Sequence, residues 1–154
     1  EQVPEHFPAQ FLAMDITTDD WSAITGEWSL ITSFATLHHI PGEETRLRIL
    51  RKVHGLLAPR GQFILSNWQF LNSERLRKRV QPWDAAGLKQ ADVDEGDYLL
   101  DWRRGGTGLR YVHHFSEDEL SRLAEMSRFR IVETFYSDGV TGDLGLYQVW
   151  EKAD

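Results

Sequence analysis

The stretch WSLITSFATLHHI, Trp28 to Ile40, runs from apolar residues into a turn carrying two adjacent histidines, His38 and His39. A second set of chemically capable side chains lies in LRYVHHF, where Arg110, Tyr111, His113 and His114 fall within five residues, and Trp68 and Trp102 add aromatic surface. Imidazoles can hold a metal, move a proton or line a pocket. A zinc site needs three or four ligands of the right type, yet the chain has no cysteine and no His-x-x-x-His or carboxylate spacing around His38 and His39. No metal is therefore expected. Adjacent histidines point apart, so one is expected at the rim of a site and the other held structurally; His38, nearer the end of the apolar run, is the one expected at the rim. Arg110 could grip a carboxylate or phosphate through two parallel bonds, and the aromatic rings could stack on a base. Simpler roles exist for each: Trp68 and Tyr111 could pack beneath a lid, and Arg110 could lie in water on a hairpin.

The elements that would position these residues alternate between strand and helix. QFLAMDI (10–16), WSLITSF (28–34) and GQFILSNW (61–68) read as strands. Between the second and third, Leu47, Leu50, Val53, Leu56 and Leu57 recur at helical spacing, with acids at the start and Pro59 and Gly61 at the close. Strand, helix and strand in that order predict a parallel βαβ unit and an α/β class. Later, SEDELSRLAEM carries Ser116 as N-cap, Glu119 to complete a capping box, and Phe115 to staple against Leu120. FRIVETFY (129–136) and LYQVWE (146–151) predict an antiparallel pair at the C-terminus. The middle, 71–114, reads as an insertion: a basic helix SERLRKRV, a break at Pro82, and a hairpin or lid folded around Gly105, Gly106 and Gly108.

Bulk properties narrow the class. At 154 residues and 41% hydrophobic content the chain is expected to form one domain over 1–154. No apolar run is long enough for a membrane span, no basic-then-apolar leader opens the sequence, and there is no cysteine, so a soluble cytoplasmic protein is expected. A net charge of −7 repels polyanions at long range, which favours small ligands unless a local basic patch intervenes. Arg75, Arg77, Lys78 and Arg79 form the one run that could contact phosphates, although such runs are usually solvated helix faces.

An acid-ended strand, a strand running into LHHI, and a helix ending LLAPRG before GQFILSNW resemble the second part of a class I methyltransferase that uses S-adenosylmethionine. The resemblance implies a Rossmann-like sheet with an antiparallel C-terminal strand pair, and covers most of the chain. It implies that Asp15 accepts a hydrogen bond from the adenine amino group, that the Ile16 N–H meets a ring nitrogen, and that Ser33, Phe34 and Ala35 present backbone carbonyls to the cofactor's ammonium group. Asp15 or Asp19 could instead cap a short helix near Trp21, and residues 33–35 could merely end a strand. LRYVHHFSEDEL and DYLLDW are further similar to the tRNA methyltransferases that esterify carboxymethyluridine at the wobble position, some relatives of which act with a small activator subunit. This makes Arg110, Tyr111 and His113 candidate catalytic residues, to which His38 is added for its place near the end of the apolar run, and tRNA or a small carboxylate or hydroxyl compound the acceptor. A carboxylate acceptor is already ionised near pH 7 and needs no general base. Asp101 stands where that subfamily tends to have proline, and PRG at 59–61 replaces the usual PGG. The family's glycine-rich loop and ribose-binding acid have no counterpart, so the first two strands are expected to be missing and the segment to be inactive alone. The rival expectation is a binding or scaffold module that keeps the fold without the chemistry.

Overall fold

The computed structural model describes residues 9–103 and 105–153. Strand β1 (Trp28–Phe34) leads through a short 3-10 turn, Leu37–His39, into helix α1 (Glu43–Leu56). Glu43 and Glu44 sit in the first turn of α1, where they favour the positive end of the helix dipole. One face of α1 buries Leu47, Ile49, Leu50 and Val53 together with a charged residue, Arg46. Strand β2 (Leu57–Trp68) comes next and pairs with β1 in parallel, as the strand–helix–strand pattern predicts.

The pairing of β1 with β2 is interrupted between Trp28 and Leu30, and the ladder becomes regular from Leu30↔Gln62 to Phe34↔Ser66. The PRG sequence lies in this interruption. Arg60 takes a left-handed φ of 61°, and a Cβ on Gly61 would lie 2.8 Å from the Ala58 carbonyl oxygen and 2.9 Å from that of Trp28. Two backbones pass here with room for hydrogen only.

After β2 the chain forms a second, small antiparallel sheet from β3 (Val80–Gln81), β4 (Asp97–Trp102) and β5 (Gly108–His113). The expected hairpin around Gly105, Gly106 and Gly108 is the β4–β5 connection. The basic helix is shorter than its composition suggests: only α2 (Glu74–Arg77) is helical, buried through Leu76 alone. Helix α3 (Glu117–Met126) starts as expected, with the Ser116 hydroxyl accepting from the Glu119 N–H at 3.1 Å and with Phe115 and Leu120 both in the core. The capping box stays half closed. The Glu119 carboxylate turns to His113 and Arg46, which offer it charge-assisted contacts where the Ser116 N–H would offer a neutral one. Strands β6 (Phe129–Ser137) and β7 (Gly145–Lys152) form the expected antiparallel pair, and β7 docks on β2 to give the main sheet order β1-β2-β7-β6.

The expected strand at 10–16 does not form. Its end curls into a turn in which Asp15 Oδ1 accepts from the Thr17 N–H at 2.8 Å and the Thr17 hydroxyl at 2.6 Å, while the Asp15 N–H donates to Asp19 at 2.6 Å. An extended segment without a neighbouring strand has no ladder to join, and short polar side chains then satisfy its backbone locally. Asp20, rather than Asp15 or Asp19, caps the 3-10 turn Trp21–Ala23. Ile16 and Trp21 fold onto the main core instead. Among the described residues β1 hydrogen-bonds to β2 alone, and Trp28, Leu30 and Phe34 are left about half exposed.

Gly61→Ala tests the crossing of the two backbones. It is expected to lower unfolding free energy by about 1–3 kcal/mol through overpacking, measured by urea denaturation; an unchanged midpoint would mean that the two backbones separate freely.

Candidate functional site

The carboxyl ends of β1 and β2 lie side by side, and the chain turns inward after each strand. After β1, Ala35 adopts a left-handed φ of 51° and its N–H donates to both the carbonyl and the hydroxyl oxygen of Ser66 on β2, each at 3.1 Å. This turn delivers the two histidines. His38, expected at the rim, is instead the buried member of the pair, 1% exposed, because its Nδ1 turns inward to accept the Trp68 backbone N–H at 3.2 Å, while His39 is the partly exposed one. The ring proton of neutral His38 must therefore be on Nε2. His39 Nδ1 lies 3.1 Å from the Tyr111 carbonyl, which can only accept, so its proton is on Nδ1. The two rings do not point apart as expected: the 3-10 turn brings them edge to face at 4.2 Å between centroids, in opposite tautomers. Burial pushes His38 down to about 3, with the nearby charges of His39 and Arg110 acting in the same direction. Burial also lowers His39.

These groups wall a cavity of about 390 Å³ that includes Ala35, His38, His39, Asn67, Trp68 and Arg110. The Arg110 guanidinium lies over the Trp102 ring at 4.0 Å from its centroid, a cation–π contact within the hairpin. Arg110 makes no ion pair among the described residues. Asn67 is 1% exposed, and its amide lies near His38 without an ordinary hydrogen bond.

Tyr111 and His113, expected beside Arg110, belong to a different cluster. Their side chains join a buried network between α1, the hairpin and α3. Arg46, 1% exposed, donates from Nε to the Ile40 carbonyl at 2.8 Å and from one terminal nitrogen to the Tyr111 hydroxyl at 2.8 Å. The Tyr111 hydroxyl donates to Asp97 Oδ1 at 2.5 Å. His113 has a carboxylate at each ring nitrogen, Asp97 at 2.6 Å and Glu119 at 2.9 Å. Arg46 completes the set at 3.5 Å from Asp97 and 3.6 Å from Glu119. Burial and the Asp97 carboxylate hold the Tyr111 phenol well above its ordinary value, so it stays a hydrogen-bond donor. None of this suits Tyr111 or His113 to touch a ligand in the Arg110 cavity. Among the described residues no group of three His, Asp or Glu side chains is placed to hold a metal ion.

The residues expected to meet a nucleoside are only partly gathered. Ile16, Ser33 and Phe34 share a cavity of about 470 Å³ with apolar side chains of β1 and α1, while Ala35 lies in the His38 cavity. The apolar wall suits a flat aromatic ring. The Asp15 carboxylate is held in its own turn, and hydrogen bonds to Thr17 lower its pKa. Asp15 as placed is engaged by Thr17, and the carboxyl end of β1 borders both cavities.

No family model matches the chain. A protein of Encephalitozoon cuniculi named as a methyltransferase is 27% identical over 125 residues, which are 81% of this chain and 53% of that protein. Solved structures align over nearly the whole chain. A Methanosarcina mazei S-adenosylmethionine-dependent methyltransferase aligns over 91% of this chain and 65% of its own, with a TM-score of 0.63 and 23% identity. The Burkholderia thailandensis 1,6-didemethyltoxoflavin-N1-methyltransferase, solved with 1,6-didemethyltoxoflavin and S-adenosylhomocysteine, aligns over 94% of this chain and 51% of its own, with a TM-score of 0.59 and 20% identity. The chain has the class I methyltransferase fold. It spans about half the length of the curated relative it matches. In this Rossmann-like fold the crevice at the carboxyl ends of parallel strands is where ligands bind, and that crevice is where His38, Trp68 and Arg110 meet.

Three residues of consequence escape a reading of the sequence alone. Arg46 falls on the apolar stripe of α1, four residues before Leu50 and seven before Val53, and a cation on such a stripe signals a buried anion. Asp97 and Asn67 carry no comparable mark.

The histidine placement predicts how stability depends on pH. Unfolded His38 titrates near the ordinary 6.5 and folded His38 near 3, so between these values the unfolded state binds more protons. The stability due to neutral His38 is full above about pH 6.5 and is lost progressively as pH falls toward 3. Relative to wild type, His38→Gln should flatten the fall of unfolding free energy across pH 4–6 by up to about one proton, read from urea melts; parallel slopes would contradict the buried neutral ring.

Proposed function

We propose that the chain is part of an S-adenosylmethionine-dependent methyltransferase whose acceptor occupies the cavity at the carboxyl ends of β1 and β2. The observation that carries this reading is Arg110, its guanidinium carbon 4.0 Å from the Trp102 ring centroid at the wall of that cavity, beside neutral His38 and without a carboxylate ion pair among the described residues. An unpaired guanidinium over a ring is suited to an anionic acceptor. S-adenosylmethionine, when bound, supplies an electrophilic methyl carbon that passes to the acceptor as S-adenosylhomocysteine is released. The carbonyls of Ser33, Phe34 and Ala35 would face its ammonium group, and Ile16 would line the aromatic side. Asp15 could take its expected part only if its turn opened.

Arg110 orients a carboxylate through paired bonds, and His38 can donate from Nε2 while being too weak a base to take a proton near pH 7. A carboxylate acceptor needs no such base. Orientation of two reactants can supply on the order of 7–11 kcal/mol of a barrier, and the buried side chains of His38 and Asn67 help by excluding water from charges about to cancel.

Two acceptors fit this chemistry. A small-molecule acid is favoured by the cavity volume of about 390 Å³ and by the fold's likeness to an enzyme solved with 1,6-didemethyltoxoflavin, whereas a hydroxyl compound would need a base that neutral His38 does not supply. Carboxymethyluridine at the tRNA wobble position is favoured by Arg110 and Trp102, which offer a cation and a ring. The basic run lends that reading less than its composition suggests, because Lys78 pairs with Glu74 at 2.6 Å and Arg79 with Asp101 at 2.7 Å, leaving Arg75 and Arg77 exposed. A small activator subunit belongs to the tRNA reading alone. A cytoplasmic place suits either, and among the described residues no helix is long and apolar enough to cross a membrane.

Calorimetry of the intact protein with S-adenosylmethionine separates enzyme from scaffold: saturable heat is expected, and a folded protein giving none would end the enzyme reading. Methyl transfer assayed in parallel on carboxymethylated tRNA and a panel of small acids identifies the acceptor. Arg110→Ala is expected to raise the acceptor KM roughly 10- to 100-fold, the worth of a charge-assisted hydrogen bond; an unchanged KM would remove Arg110 from the site.

A further inference from the structure

Arg110 can serve the cavity only while the β4–β5 hairpin is seated over the ends of β1 and β2, and that hairpin belongs to a sheet separate from the main one. Tyr111 is placed to seat it. Successive side chains of a strand point to opposite faces, so Arg110 and Tyr111 project to opposite sides of β5. The Tyr111 carbonyl accepts from His39 Nδ1 at 3.1 Å, at the wall of the cavity. Its hydroxyl takes a bond from Arg46 on α1 at 2.8 Å and gives one to Asp97 at the start of β4 at 2.5 Å. One residue thus ties the strand that carries Arg110 to the cavity turn, to the main helix and to its own partner strand.

The surroundings leave little freedom for another arrangement. A Cβ on Gly96, which has a φ of 88°, would lie 2.9 Å from the His113 ring, and the Gly96 carbonyl accepts the His114 N–H at 2.7 Å. The backbone preceding β4 is therefore pressed against the same cluster. His113 bridges Asp97 to Glu119, carrying the tie on to α3.

We propose that Arg46, Asp97 and Tyr111 form a latch that sets the position of the hairpin and, through it, the approach of Arg110 to the acceptor. Tyr111 and His113 are then positioning residues and do not touch the acceptor. The latch stands on geometry alone; its consequence for the acceptor rests on the methyltransferase reading.

Tyr111→Phe is the suitable probe, because it removes the bridging hydroxyl and leaves the Arg46–Asp97 ion pair at 3.5 Å without orphaning a charge. In the intact protein, hydrogen–deuterium exchange of β4 and β5 amides is expected to speed up at least about tenfold, with β6 and β7 amides unchanged. Unchanged hairpin protection, or equal loosening of both sheets, would overturn the latch. Arg46→Lys, which keeps the charge and loses the planar fork, should act in the same direction. In methyl transfer, Tyr111→Phe should raise the acceptor KM with kcat nearly constant, and should add nothing in the Arg110→Ala background. A fall in kcat at constant KM, or additive effects of the two substitutions, would make Tyr111 act independently of Arg110 and sink the proposal. If wild-type protein methylates neither tRNA nor small acids, the functional reading fails while the exchange data still decide the latch.

Discussion

A guanidinium buried to the extent of Arg46 must be met by opposite charge, or the fold around it cannot persist. Arg46 is carried inward by the apolar face of α1, and the groups that answer it come from three separate stretches: Asp97 from the start of β4, Tyr111 from β5 and Glu119 from the first turn of α3. Satisfying one charge therefore fixes the mutual placement of the βαβ unit, the inserted small sheet and the C-terminal helix. The Phe115 ring lies 5.2 Å from the guanidinium, which adds an aromatic face to the same cation. A hydrophobic residue at position 46 could fill the volume, but it would not specify which hairpin register or which helix end comes to meet it.

The consequences reach the carboxyl ends of β1 and β2. There the side chains that could do chemistry are held in defined protonation states by backbone groups: the Trp68 N–H fixes one histidine tautomer and the Tyr111 carbonyl the other. Neutral imidazoles, one guanidinium and aromatic surface line this cavity together with the Asp138 carboxylate, which is engaged by the Tyr147 hydroxyl, and the guanidinium suits the proposed anionic acceptor. The site is poorly suited to general-base catalysis. That combination agrees with methyl transfer to a group already ionised, and disagrees with chemistry that must first remove a tightly held proton.

Much of this is legible in the sequence where local rules and tertiary context agree. The apolar spacing of Leu47, Leu50 and Val53 announces α1, the Ser116 cap announces α3, and the glycines at 105, 106 and 108 announce the hairpin. Local rules fail where a partner lies far away in the chain. Residues 10–16 have the composition of a strand but no strand among the described residues pairs with them, and local Asp and Thr bonds win. Glu119 has the spacing of a capping box but finds a histidine and an arginine from other elements. Tyr111 and His113 share a short motif with Arg110, yet side chains in a strand alternate, and the motif is split between two faces with two different tasks.

The half-exposed edge of β1 and the apolar flank beside it adjoin the carboxyl end where Ser33, Phe34 and Ala35 turn toward the His38 cavity. The decisive question is whether a nucleoside thioether comes to that corner. A crystal structure of the intact protein with S-adenosylhomocysteine tests this most directly. The amino-acid end of the ligand is expected against the backbone of residues 33–35, with its sulfur opening toward Arg110; a ligand bound elsewhere, or separated from Arg110 by the body of the sheet, would contradict the methyltransferase site proposed for this corner.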